Sequence, residues 1–441
     1  MEPEKTSALE RSLAKLRQST VLRLLVIGIL ILILLIPTGM LESIINEREG
    51  SHDKAVEEIS DKWGNKQTIT GPVLAVPYWV QSKDEKGVVT SSREYMYYLP
   101  DNLDVTGDMQ SQKRHRGIYE AVLYETKLHF KGNFAAGFLN ATSTLPASAE
   151  LKNARLLFGV TDVRGIRNSV SIAWDSSHIS AQPGGKDEVV TSGFNFPMDK
   201  QDLEKGGSFS MDLQLAGSGS LDFTPVGKTS TINLTSNWPS PSFFGAFLPT
   251  SDSVTKQGFE SHWKVLELNR NFNQSWAGDN KEVFHSSDFG VRMYVPADQY
   301  QKSHRAVHYC ILFISLTFIF YFIIELRSGA NVNPVQYLLV GLAISIFYLL
   351  LLSLSEWLGF NTSFFISAAS VTTLIALFSL SVLQSKFYAF IAGVVQVLLY
   401  VFLFTTLQLE DLSLLIGSIG LFITLAILMY FSGKLNREKS I

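Results

Sequence analysis

The stretch VLRLLVIGILILILLIP, from Val21 to Pro37, decides how the rest of the chain is read. After Arg23 no charged residue occurs until Glu42. A helix rising ~1.5 Å per residue needs about 20 apolar residues to cross ~30 Å of hydrocarbon, and this run supplies about that many. Lys5, Arg11, Lys15, Arg17 and Arg23 precede or open it. Two readings fit: an uncleaved signal anchor and a cleaved signal peptide. The anchor is favoured, because Pro37-Thr38-Gly39-Met40-Leu41 offers no small-x-small cleavage site and the run is long for a signal. Upstream, Leu9, Leu13 and Leu16 recur at helical spacing among Arg and Lys. That pattern suits either a short helix lying on the membrane or a frayed tail.

Working outward, the C-terminal third repeats the pattern in five apolar runs, near 306–324, 335–354, 362–383, 387–406 and 412–431. Each is long enough to span, and the links between them are too short for anything but antiparallel hairpins. Asn333-Pro334 starts the third span of the chain, where Pro at the first turn costs little. Asn361-Thr362 is read as capping the fourth. Lys and Arg in the short links set the orientation. With the N-terminus inside, the inner segments carry the basic leader, Arg327, Lys386, and Lys434, Arg437 and Lys439. The two short outer links hold Glu356 and the pair Glu410-Asp411, with no Lys or Arg. Lys302 and Arg305 run against this rule, but they adjoin a long translocated segment, where it weakens.

Residues 42–303 therefore lie outside. Val56, Ile59 and Trp63 continue a helical apolar face from the first span as far as Gly64. Beyond it strand patterns dominate: Pro72–Val80, Glu94–Leu99, Ile118–Phe130, Ala154–Val160, Val170–Trp174, Ser208–Gln214, Ser220–Phe223, Ser230–Thr235 and Phe289–Val295. No motif of propeller or solenoid period repeats. The expected fold class is a membrane α-helical bundle plus a large exported β-rich domain, α+β overall, with one N-terminal and five C-terminal transmembrane helices. The expected boundaries are an inner segment 1–20, the first span 21–41, the β-rich domain 42–303, the five-helix domain 304–432 and an inner tail 433–441. About 260 residues is large for one sandwich, which favours a β-rich domain split into two packed sheet units.

The 37 basic and 40 acidic side chains give no strongly basic surface, so nucleic acid is not an expected partner. Cys310 is the only cysteine and sits in an apolar run, so no intrachain disulfide forms. Phosphate-loop, zinc-helix, paired-cysteine and nucleophile-elbow patterns are all missing, and no cofactor or metal is expected. Ser-x-x-Lys occurs at Ser253–Lys256 and Ser261–Lys264 without the partner motifs of penicillin-binding proteins, and is read as chance. His304 and His308 share one helical face, which could hold a metal; with no third ligand nearby, an interfacial helix end is the plainer reading. The middles of the spans lack ionisable groups, which argues against an ion-coupled transporter, and Glu325 at the inner end of its span is expected to reach the interface. Ser345, Ser353, Ser367, Ser370, Thr372, Thr373, Ser379 and Gln396 are read as interhelical packing.

Two segments of the exported part stand out. Trp238 to Pro249 reads WPSPSFFGAFLP, where three Pro forbid a regular element. Its aromatics Trp238, Phe243, Phe244 and Phe247 either pack over a sheet or form a contact surface for membrane, bundle or partner protein. GVTDVRGIR, residues 159–167, places Asp162, Arg164 and Arg167 on a turn. An internal Asp162–Arg pair is one reading, and an anion or partner site through Arg164 and Arg167 the other.

Several long strings are also familiar: TGPVLAVPY (70–78), RGIYEAVLYET (116–126), GVTDVRGIR (159–167), GSGSLDFTPVGKTSTINLTSNWPSPSFFGAFLP (217–249), YVPADQYQKSHRAVHYCILFISLTF (294–318) and LQLEDLSLLIGSIGLFITLAILMYF (407–431). Together they resemble the CreD family, inner-membrane proteins of Gram-negative bacteria linked to cell-envelope integrity. The resemblance implies a multi-pass protein of the bacterial inner membrane with cytoplasmic termini and residues 42–303 in the periplasm. It also implies an association with envelope stress and with responses to wall-targeting antibiotics, and carries over no catalytic or ligand residues. Two functions follow as expectations. The first is a non-enzymatic protein whose partners are the lipid bilayer and an envelope protein or peptidoglycan-related component. The second is an envelope enzyme or lipid-handling protein with a site where domain and bundle join. A transporter ranks behind both. Nothing in the sequence fixes the oligomeric state.

Overall fold

The computed structural model describes residues 20–83, 89–140, 145–184, 189–278, 285–293 and 299–408, with isolated positions between 415 and 429. The leader before residue 20, read as a short surface helix or a frayed tail, most of the run 412–431 and the C-terminal tail lie outside the described residues. The chain divides into two compact units, residues 1–51 with 297–441, and residues 52–296.

The helical unit begins with α1 (Thr20–Ile33) and the first half of α2 (Leu35–Trp63). The two meet at Leu34, one turn before Pro37, whose ring removes the N–H that would bond to Ile33. After α3 (Lys200–Lys205), which belongs to the other unit, come α4 (Gln299–His308), α5 (Cys310–Ser328), α6 (Pro334–Leu358), α7 (Phe360–Leu383) and α8 (Lys386–Gln408). Among the described residues five helices are long and apolar enough to cross a membrane, one near the N-terminus and four near the C-terminus. The sixth expected span is the one outside the described residues. Asn333 caps α6, and Pro334 stands in its first turn. Asn361 caps nothing: α7 starts at Phe360, and the Asn361 amide oxygen accepts a hydrogen bond from Gln408 instead (2.6 Å). The core is aromatic, with Phe347 packed on Phe364 (5.3 Å) and on Tyr400 (4.6 Å between centroids). At Gly341 a Cβ would run into Leu34 and Phe318, so α6 approaches the α1–α2 junction only because that residue is glycine.

Glu325 does not reach the interface as its place near a helix end suggested. It is 2% exposed and its carboxylate accepts from Arg23 (2.9 Å), from the Tyr337 hydroxyl (2.7 Å) and from the backbone N–H of Val332 (3.3 Å). A carboxylate at a helix end turns inward when the interior offers a cation and two more donors.

In the other unit seventeen strands are described: β1 (Gln67–Lys83), β2 (Val89–Tyr98), β3 (Asn102–Arg116), β4 (Tyr119–Phe134), β5 (Arg155–Val160), β6 (Ser171–Trp174), β7 (Ser177–Ser180), β8 (Gln182–Pro183), β9 (Gly193–Pro197), β10 (Gly207–Ser218), β11 (Ser220–Phe223), β12 (Thr229–Ser236), β13 (Pro241–Gly245), β14 (Ser251–Thr255), β15 (Gly258–Leu266), β16 (Ser275–Ala277) and β17 (Phe289–Met293). They form two sheets. One runs β13-β17-β11-β1-β5-β9-β8, with β2 and β16 branching from β1; the other runs β14-β15-β12-β3-β4-β10-β6-β7. Both contribute to a single apolar core. Phe158 of β5 meets Phe130 of β4 at 5.6 Å across the two sheets, and Phe289 of β17 meets Trp263 of β15 at 5.8 Å. The end of α2 packs on this unit through Trp63, whose indole donates to the Tyr124 carbonyl (3.2 Å) and whose face lies under Arg167 (5.0 Å). Gly64 then turns the chain at φ +146, where a side chain would meet the Ala216 carbonyl at 2.6 Å.

Phe158 is fully buried among Phe130, Phe194 and Phe196. Phe158→Ala should cost about 3–5 kcal/mol of the stability of this unit, read from denaturant unfolding of the full chain by tryptophan fluorescence. An unchanged midpoint would contradict the shared core.

Candidate interaction surface

The segment from Trp238 to Thr255 holds two consecutive strands, and each ends a different sheet. β13 is the last strand beyond β17, and β14 the last beyond β15. Three prolines do not keep Trp238–Pro249 irregular: Pro241 opens β13, which among the described residues pairs on one side only, so its missing N–H faces the open edge. In an antiparallel ladder alternate residues turn their N–H and C=O away from the neighbour, so an end strand presents unpaired backbone groups. Natural edges are blunted by Lys, Pro or bulges. β14 reads Ser-Asp-Ser-Val-Thr, exposed throughout, with Asp252 its one charge.

The aromatics of this segment are placed as follows. Trp238 is 7% exposed, and its indole donates to the Ser240 carbonyl (3.0 Å). Phe243 sets its edge against Phe259 (5.7 Å) and Trp263 (5.6 Å), and Phe247 against Phe289 (5.8 Å). Phe244 lies half-buried beneath the Arg292 guanidinium (4.5 Å). The apolar groups left in solvent are others: Leu248, 69% exposed between the two strands, and Val254 on β14. Sequence reasoning passed over these two because each is one ordinary aliphatic residue. Only the sheet order shows that they flank a double edge.

The turn at 162–167 separates its two arginines. Asp162 is buried and holds Arg164 in a two-pronged pair (2.9 and 2.8 Å) while also capping the Asn65 N–H (3.0 Å). The Arg164 pair, helped by the backbone N–H groups of Asn65 and Arg164, keeps the Asp162 carboxyl below the usual carboxylate range. Arg167 instead covers Trp63 and donates to its carbonyl (2.8 Å).

The remaining sequence candidates resolve by geometry. Ser261 and Lys264 sit three apart on a strand, so they face opposite sides; the buried Ser261 hydroxyl donates to the Leu234 carbonyl (3.2 Å). Ser253 lies on exposed β14, with Lys256 beyond its end. His304 and His308 each face a carboxylate of α2, Glu49 at 3.2 Å and Glu42 at 3.6 Å. Among the described residues no three His, Cys, Asp or Glu side chains converge as a metal site.

One acidic group was missed entirely. On β11 the Asp222 carboxylate takes one bond from Ser220 (3.3 Å), and its Oδ1 is buried without a hydrogen-bond partner among the described residues. The neighbouring Asp288 accepts from Thr224 (2.5 Å) and contacts His285 (3.2 Å). Burial, with the charge of Asp288 adding to it, pushes Asp222 up to about 7. An acid inside a four-residue strand gives no period or motif to mark it.

A family model described as inner membrane protein CreD matches residues 19–438. Inner membrane protein CreD of Escherichia coli (strain K12) is 31% identical over 413 residues, covering 92% of this chain and 91% of that one.

The unfolded chain ionises Asp222 near pH ~4, whereas the fold holds it neutral until about 7. Its contribution is therefore whole below about pH 4 and is lost as pH rises to 7, at up to ~1.4 kcal/mol per pH unit. Unfolding of the wild type, compared with Asp222→Asn across that window, should show this decline only in the wild type. Parallel profiles would contradict it.

Proposed function

Because the chain belongs to the CreD family of inner membrane proteins, we propose that it is a non-enzymatic component of the cell envelope whose β-rich unit is exported to the periplasm and binds an envelope partner there. The basic residues at both termini and in the links carrying Arg327 and Lys386 support cytoplasmic termini. An odd-numbered crossing by the first span then delivers residues 52–296 to the other side. The helices anchor this body and contact the bilayer through exposed side chains such as Phe387, Phe390 and Leu398.

The observation that carries the binding role is the double edge of β13 and β14. A partner segment can add to either sheet through backbone hydrogen bonds, with Leu248 and Val254 supplying apolar contact. Trp238, Phe243, Phe244 and Phe247 support the edge from behind, and Arg164, through Asp61 (3.4 Å), and Arg167, through the Trp63 carbonyl, brace the end of α2. The role in envelope integrity rests on the family resemblance, and the partner is an envelope protein or a wall-linked component.

A photocrosslinking residue at Leu248 or Val254, in intact cells, should give discrete adducts. Asp252→Pro, which removes an N–H that alternation turns to the open edge, should reduce the Leu248 adducts by about tenfold, the loss expected for one or two backbone bonds. Adducts undiminished by Asp252→Pro would remove the strand-addition reading.

A further inference from the structure

The helical unit contains a cleft of about 710 Å³ between α1 and the link from α5 to α6. Its two walls differ in chemistry. Leu22, Val26, Ile27 and Leu30 recur on one face of α1 and make an apolar strip. Arg23, Glu325, Asn331 and Tyr337 make the opposite, polar wall. Its depth is graded as well. Leu22 and Asn331 are exposed at the rim, while Ile27, Leu30, Glu325 and Tyr337 are buried at the floor.

The rim lies where α1 starts, α5 ends and α6 starts, which is the level of the lipid headgroups for helices that cross a bilayer. The apolar strip runs from there along α1 into the hydrocarbon depth. Polar rim and apolar strip thus follow the order of headgroup and acyl chain in a lipid.

The charges decide which headgroup chemistry fits. Glu325 is saturated by three donors, so it has little left for an incoming cation. Among the described residues Arg23 is not saturated. It gives one N–H to Glu325 and one to the Asn331 oxygen (3.1 Å), and its side chain is 31% exposed. A guanidinium carries five donors in a planar fork suited to phosphate, and donors left unmet at membrane depth are costly. The N-terminal end of α6, at Asn333 and Pro334 on the rim, adds partial positive charge.

We propose that this cleft binds one phospholipid of the adjoining leaflet, with its phosphodiester on Arg23 and an acyl chain along Leu22, Val26 and Leu30. Glu325 then has a defined task. It holds Arg23 in place and cancels its charge, so that the site accepts zwitterionic and anionic phospholipids alike. This site is independent of the edge-strand surface proposed above.

Native mass spectrometry of the full chain, released from nanodiscs of mixed phosphatidylethanolamine and phosphatidylglycerol, tests it. The wild type should retain one phospholipid of either class. The double variant Arg23→Gln/Glu325→Gln, which leaves no buried charge unpaired, should retain ~10–100-fold less, the loss of a charge-assisted bond. Leu30→Trp fills the strip without touching a charge and should lose retention too. Glu325→Gln alone leaves Arg23 uncompensated and should shift the bound lipid toward phosphatidylglycerol. A purely structural ion pair would not produce that shift. Wild-type retention by the double variant or by Leu30→Trp would overturn the proposal. So would displacement of the bound lipid by excess inorganic phosphate, which would mark a free-anion site.

Discussion

Hydrocarbon is a solvent that meets no backbone hydrogen bond, and the helical unit is built around that constraint. The four C-terminal spans are continuous helices joined by short links, and several hydroxyls within them bond back to the preceding turn: Thr317 to Phe313 (2.9 Å), Ser379 to Ile375 (2.6 Å), Ser345 to Gly341 (3.1 Å). Between helices Tyr321 pairs with Ser379 (2.5 Å). Charge enters near a helix end, at Glu325, and there it is balanced by Arg23. Outward, the surface is Leu, Ile and Phe at exposures that water would penalise as a patch and lipid does not.

The β-rich unit answers to water instead. Alternation sends Leu103, Val105 and Met109 of β3 inward and their neighbours outward, and two sheets close over a shared aromatic core. What a two-sheet body cannot remove is its edges. Chain continuity puts one edge of each sheet into the segment 241–255.

The spans were legible because about 20 consecutive apolar residues have few other uses. The nine expected strand segments all correspond to strands, since each combined β-branched or aromatic residues with turn signals. β3 escaped notice because Gly107 interrupts its apolar alternation; only pairing shows why, for a Cβ there would press on Leu128 and Leu234. β15 was hidden by a chance Ser-x-x-Lys. The double edge, the inward turn of Glu325 and the burial of Asp222 depend on residues far apart in sequence, such as Glu325 and Arg23, 302 positions apart. No local pattern encodes those partners.

In the proposed topology residues 52–296 face the side of the membrane opposite both ends of the chain. Single cysteines at Ser7, Ser176 and Ser440, in a chain whose own Cys310 is buried, can be labelled in intact cells with a membrane-impermeant maleimide. Labelling at position 176, with positions 7 and 440 labelled only after the membrane is opened, is the predicted outcome. Labelling of position 7 or 440 together with 176 in intact cells would contradict the account.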